Sequence, residues 1–276
     1  MMKEFFYDRR GIYYRTNIFE PGRQTVVFIH GLSASSVYWT EYEEIFKSKY
    51  NILTYDLRGH GKSRKPTKYS DYDIIDFSED IFDLMKNVGI DKCILVSHSF
   101  GTLIAIEFLT AHQDMLSGVV FLSPGLSIAG GFTGFIMRCI LSLARILELF
   151  PTGSKTGEHI DYKKFKGTGD WNVRRLWADV IHSTGLRVYL YTLRHVYFFN
   201  RDNTLEKIHV PTLIVHGRRD TYFPIKNSIL IKNRIKDSEF VIIENADHII
   251  VLNNVKEVSA AITRFLERIK MHSSKV

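Results

Sequence analysis

The stretch Cys93-Ile-Leu-Val-Ser-His-Ser-Phe-Gly101 constrains this chain more than any other. Its apolar start reads as a fully buried strand, and Leu103, Ile106 and Leu109, recurring behind Phe100, read as a helix. Between the two sits Ser99, on a turn too tight for bulky neighbours. A strand buried on both faces that leads straight into a helix belongs to a parallel sheet with helices packed on it.

The rest of the chain repeats that unit. Glu4–Asp8 and Ile12–Ile18 flank Asp8-Arg9-Arg10-Gly11 and read as a hairpin. Thr25–Ile29 is a buried strand ending at His30-Gly31-Leu32, and a helix is expected from Trp39 to Lys47. Asn51–Tyr55 is the next strand, followed by Asp56-Leu-Arg-Gly-His-Gly-Lys-Ser63. Ile74, Phe77, Ile81, Leu84 and Val88 mark an amphipathic helix closed by Gly89. Gly118–Leu122, Pro211–His216 and Phe240–Glu244 read as further strands, the last followed by a helix through Val255, Val258, Ile262, Phe265 and Ile269. Ligands of such sheets sit at the carboxyl ends of the strands. Every polar motif of the chain lies directly after a strand.

Gly125 to Lys207 breaks the alternation. It holds a 19-residue apolar stretch, Phe132–Phe150, whose Arg138, Ser142, Arg145 and Glu148 fall on roughly one helical face. That pattern is an amphipathic helix and not a membrane span. A Gly- and Lys-rich loop through Asp170 follows, then a helix over Asn172–His182 and, after Ser183-Thr184-Gly185, another to about Phe199.

Ser97-His98-Ser99-Phe100-Gly101 resembles the nucleophile elbow of the α/β-hydrolases, with Ser97 in place of the first glycine. The resemblance covers nearly the whole chain outside Gly125–Lys207. It implies an α/β-hydrolase fold, a mostly parallel central sheet flanked by helices, with a core of residues 1–124 and 208–276 and an inserted helical cap at 125–207. It also implies the order nucleophile, acid, base: Ser99, Asp220 in Gly217-x-x-Asp220, and His248 in Ala246-Asp247-His248. Asp247 is the alternative acid, hampered by its adjacency to His248. The resemblance further places oxyanion-binding N–H groups at Leu32 and Phe100. Asp56–Ser63 matches a family turn in which Asp56 and Arg58 are structural and Gly59 and Gly61 supply permissive backbone angles. Ser97 is expected to point away from the strand end, and His30 and His98 to be packed supports.

Serine at the elbow disfavours the dehalogenase and epoxide-hydrolase branches, which carry aspartate there. The run His248-Ile-Ile-Val-Leu-Asn-Asn-Val-Lys-Glu-Val258 is similar to bacterial carboxylesterases and monoacylglycerol lipases. The expectation is a serine hydrolase cleaving an ester with an apolar acyl group, with a thioesterase, a carbon–carbon bond hydrolase or a non-catalytic binding protein as alternatives. Phe135, Ile136 and Trp177 of the cap, with Phe132, Ile140 and Trp171, are the expected lining of the acyl pocket.

Composition narrows the partners. A net charge of +7 over 276 residues is mild and dispersed, unlike the dense stripe of a nucleic-acid-binding face. Weak attraction to an anionic membrane surface is compatible with it. The charged N-terminus is unlike a signal peptide, and Cys93 and Cys139 read as reduced thiols, so a cytoplasmic protein is expected. The 11 histidines show no metal-ligand spacing, and no cofactor or metal is expected. Oligomeric state is left open.

Overall fold

The computed structural model describes residues 1–126, 131–150 and 156–273. Eight strands form one sheet in the order β1-β2-β4-β3-β5-β6-β7-β8. The strands are β1 (Lys3–Tyr7), β2 (Ile12–Thr16), β3 (Thr25–Ile29), β4 (Asn51–Tyr55), β5 (Cys93–His98), β6 (Leu116–Leu122), β7 (Thr212–Gly217) and β8 (Ser238–Ile243). The hairpin β1–β2 is antiparallel and β2 pairs antiparallel with β4. All other neighbours are parallel.

The alternation of buried side chains explains why the central strands read as continuous apolar runs. Val27, Ile29, Leu53 and Leu95 face one core, shared with Phe77, Ile81 and Leu84 of α2 (Ile74–Val88) and Leu103 and Ile106 of α3 (Phe100–His112), whereas α1 (Thr40–Phe46) packs on the other side. Val26, Phe28, Ile52, Ile94 and Val96 face that second core, with Tyr42 and Phe46 of α1 and, from the C-terminal end, Val258, Ile262 and Phe265. Both faces of the parallel sheet are covered, as such sheets require. α2 ends at Gly89, which takes the left-handed conformation at φ 78° expected of a helix-terminating glycine.

Between β6 and β7 the described elements are all helical. α4 (Gly131–Leu143) is followed by 3₁₀ turns over Ala144–Leu149, so the expected single helix to Phe150 is two pieces. α5 (Val173–Ala178) is capped by Asn172, whose side chain accepts the Arg175 N–H, and runs into a π-helical turn at Asp179–Thr184. α6 (Leu186–Phe198) and the short α7 (Asp202–Leu205) lead back to β7. α8 (Lys226–Arg234), α9 (Ile250–Asn253) and α10 (Val255–Ser273) complete the chain. Residues 127–130 and 151–155 of this segment lie outside the described residues. Among the described residues no helix is long and apolar enough to cross a membrane.

From β3 the chain steps to β4 on one side and returns to β5 on the other. This reversal opens a crevice at the carboxyl ends of β3 and β5, the usual ligand position in open α/β sheets.

Candidate active site

β5 ends at His98 and α3 begins at Phe100, leaving Ser99 as the whole of the connection. Its backbone sits at φ 53°, ψ −118°, a region sparsely populated for residues with a Cβ. The Ser99 N–H donates to Leu122 O at 3.0 Å, which fixes the turn to β6. Gly101 is required because a Cβ there would lie 2.7 Å from His30 O and 2.8 Å from Ile29 O. Ser97, buried in β5, donates its hydroxyl to Val120 O at 3.0 Å and so points away from Ser99.

β7 and β8 end beside each other. Gly217 lets the two following loops touch: a Cβ would lie 2.5 Å from Asp247 O and 2.6 Å from Ala246 O. The loop after β7 carries Asp220, and the loop after β8 carries His248. Asp220 Oδ2 accepts the Nδ1–H of His248 at 2.8 Å, and Ser99 Oγ lies 2.8 Å from His248 Nε2. A carboxylate can only accept, so it fixes the imidazole with its proton on Nδ1 and leaves Nε2 to accept from the serine hydroxyl. The side chains of His248 and Asp220 are 4% and 1% exposed, so the contact is shielded from solvent. Burial disfavours the Asp220 charge. The hydrogen bonds from His248 and from the Phe223 amide outweigh it and hold the carboxyl below its ordinary pKa. Asp247 is turned elsewhere: its carboxylate accepts from the Ile249 N–H and the Asn253 amide.

The other histidines are structural in their contacts. His98 Nε2–H donates to His248 O at 2.9 Å, and burial lowers its pKa to about 3, so the ring is neutral. His30 donates from Nδ1 to Gly31 O and accepts the Leu57 N–H, again neutral with a pKa lowered by burial to about 4. Asp56 accepts the Ser36 and Lys62 amides and meets His159 Nε2 at 2.8 Å, while Arg58 forms a two-pronged pair with Asp80. Gly59 and Gly61 have φ 79° and 48°. Among the described residues, no cluster of His, Cys, Asp and Glu side chains has the arrangement of a metal site.

A cavity of about 510 Å³ opens onto Ser99 and His248, with Leu32 and Phe100 in its wall. Phe100 is the first residue of α3, so its N–H has no partner within the helix. The helical segment supplies the outer wall, mostly through residues that differ from those expected. Phe135, Ile136 and Trp177 are 63%, 40% and 64% exposed and take no part in it; Ile140 is also exposed, and the Phe132 side chain lies outside the described residues. Of those expected, Trp171 lines it, together with Met137, Leu176, Leu193 and Val196. α4 is apolar nearly all round, and it is Leu141 that is fully buried while Arg138 bonds Tyr197 O of α6. A polar stripe therefore does not identify the inward face of this helix.

Two features of the site had no sequence signal. Arg175 and Asp179, one helical turn apart, form a buried ion pair at 3.4 Å inside the cavity, and burial raises the Asp179 carboxyl to a pKa of about 7 despite Arg175. Asp170, just outside it, bonds both loops that hold Asp220 and His248.

Comparison with known proteins fits this geometry. The sequence profile of the family described as Serine aminopeptidase, S33 matches residues 20–254. The proline iminopeptidase of Saccharolobus solfataricus is 26% identical, over 94% of this chain and 89% of that protein. A putative carbamate hydrolase of Caulobacter segnis is 25% identical, over 89% and 92%. Among solved structures, an esterase from Exiguobacterium antarcticum superposes with a TM-score of 0.74 at 19% identity, over 93% of this chain and 95% of that one. With the sheet, the elbow and the profile match in agreement, the chain is a hydrolase of the α/β-hydrolase fold and belongs to the Serine aminopeptidase, S33 family.

Proposed function

We propose that this protein is a serine hydrolase that cleaves a carboxylic ester with an apolar acyl group through an acyl-enzyme. The observation that carries the reading is the unbroken line Ser99 Oγ, His248 Nε2, His248 Nδ1, Asp220 Oδ2, with 2.8 Å at each hydrogen bond. His248 takes the Ser99 proton as the oxygen attacks the carbonyl carbon, and returns it to the leaving alkoxide. Asp220 holds the tautomer and stabilises the imidazolium. The backbone N–H groups of Leu32 and Phe100 receive the developing oxyanion, an interaction worth about 3 kcal/mol per donor in such sites. Water then repeats the sequence on the acyl-enzyme. The helical segment acts as a cap, and its Met137, Leu176, Leu193 and Val196 supply an apolar wall for the acyl group.

A second reading, cleavage of an amide next to a free amino group, is favoured by the iminopeptidase relative. Reaction with a fluorophosphonate, followed by peptide mass spectrometry, is expected to place one adduct on Ser99. An adduct on Ser97, or none, would overturn the assignment. A panel of p-nitrophenyl esters set beside aminoacyl p-nitroanilides separates the two readings: the first expects turnover of the esters to dominate, the second of the anilides.

A further inference from the structure

Asp170 lies in the helical segment, 51 residues from Thr221 and 78 from His248 in sequence, yet its carboxylate joins them. Its Oδ1 accepts the backbone N–H of His248 at 2.8 Å. Its Oδ2 accepts both the N–H of Thr221 at 3.0 Å and the Thr221 hydroxyl at 2.7 Å. Asp170 is only 4% exposed, so this charge is kept from water and rests on those three donors. The surrounding contacts reinforce the same junction. Asp170 O accepts the Tyr222 hydroxyl at 2.6 Å, and the Tyr222 ring lies 4.8 Å from the His248 ring. Trp171 donates from its indole to Thr221 Oγ1 at 2.9 Å, and Asn253 spans from Thr168 O to Asp247.

We propose that Asp170 is a positioning residue of the active site: its carboxylate sets the distance between the loop that carries Asp220 and the backbone of His248, so that the Asp220–His248 contact forms only with the helical segment docked. The inference rests on the serine-hydrolase reading above. Hydrogen bonds to a carboxylate are the strong kind, and this one spans two loops that share no strand. Asn is the same size but replaces one acceptor oxygen with an NH₂ group, which would face an N–H donor and push one loop away. Asp170 itself is not part of the cavity wall, so the acyl group does not touch it.

The test compares the wild type with Asp170→Asn and Thr221→Val, counting active sites with the fluorophosphonate and measuring kcat per site, KM and the labelling rate of Ser99. Asp170→Asn is expected to lower kcat per site and the labelling rate together by about 100-fold, the scale set by small misplacements of a catalytic group, with KM little changed. Thr221→Val, at an exposed position, is expected to lower kcat by about tenfold, as the charge-assisted bond to Asp170 is lost together with the weaker one from Trp171. It keeps the inference falsifiable if Asp170→Asn does not fold. Labelling of fewer sites with normal kcat per site would make Asp170 merely structural and overturn the proposal, as would a loss carried by KM or a Thr221→Val enzyme equal to wild type. A wild type that is not labelled on Ser99 would instead remove the serine-hydrolase reading, and this inference with it.

Discussion

Ser99 holds backbone angles that a side chain resists, and the strain is local enough to measure. Such a residue costs about 1–3 kcal/mol, part of which glycine returns and part of which it loses again through greater freedom in the unfolded chain. Ser99→Gly is therefore expected to be more stable to urea than Ser99→Ala by about 1 kcal/mol, both being inactive. Equal midpoints would mean the turn is relaxed. At the acid position, Asp220→Asn is expected to keep its fold and lose about 10⁴-fold in kcat, because the amide no longer enforces the Nδ1–H tautomer. Asp247→Asn, whose carboxylate bonds Asn253 and the Ile249 amide, should stay close to the wild type in the same assay. A loss confined to Asp247→Asn would exchange the two roles.

Among the elements, the helical segment is where sequence and structure part. α6 presents Leu193 and Val196 to the cavity, whereas Phe135 of α4 faces out. Leu193→Ala is expected to lower kcat/KM for an octanoate ester relative to an acetate ester by about tenfold or more, and Phe135→Ala to leave that ratio unchanged. Parallel losses on both esters in Leu193→Ala would indicate a damaged fold and not a lost contact. The core strands were legible because burial on both faces makes them unbroken apolar runs, as in Val26-Val27-Phe28-Ile29, and because each polar motif follows one. Ser99, Asp220 and His248 stood out by their order along the chain. The wall residues did not: an apolar helix gives no phase, so nothing in the sequence distinguished Met137 from Ile136. Asp170 was invisible for a different reason. Its meaning lies in partners 51 and 78 residues away, and a carboxylate in a Gly-rich loop reads locally as a solvated turn.

The whole molecule keeps several imidazoles dry. His30, His60 and His98 are 0%, 0% and 4% exposed, and burial lowers their pKa values to about 4, 3 and 3. In the unfolded chain they titrate near pH 6.5, so below that pH the unfolded state binds more protons and stability falls as pH falls. The stability is complete above about pH 6.5 and decreases down to the folded values, each group costing about 2 kcal/mol by pH 5. Urea midpoints should therefore drop between pH 7.5 and 5, and His60→Gln should recover about 2 kcal/mol of that drop; an unchanged drop would mean His60 protonates within the fold. On the same scale, the helical segment leaves from β6 and returns to β7, which are adjacent parallel strands paired from Val119↔Thr212 to Leu122↔Val215. Its two ends are thus fixed by the sheet, one at the carboxyl end of β6 and the other at the amino end of β7, whatever lies between them. This makes the segment an exchangeable module, open to insertion, deletion and grafting while the core keeps its chemistry. The exchange has one condition: an incoming module must bring its own acceptor to the amides of Thr221 and His248, or the transplanted enzyme will fold around an idle serine.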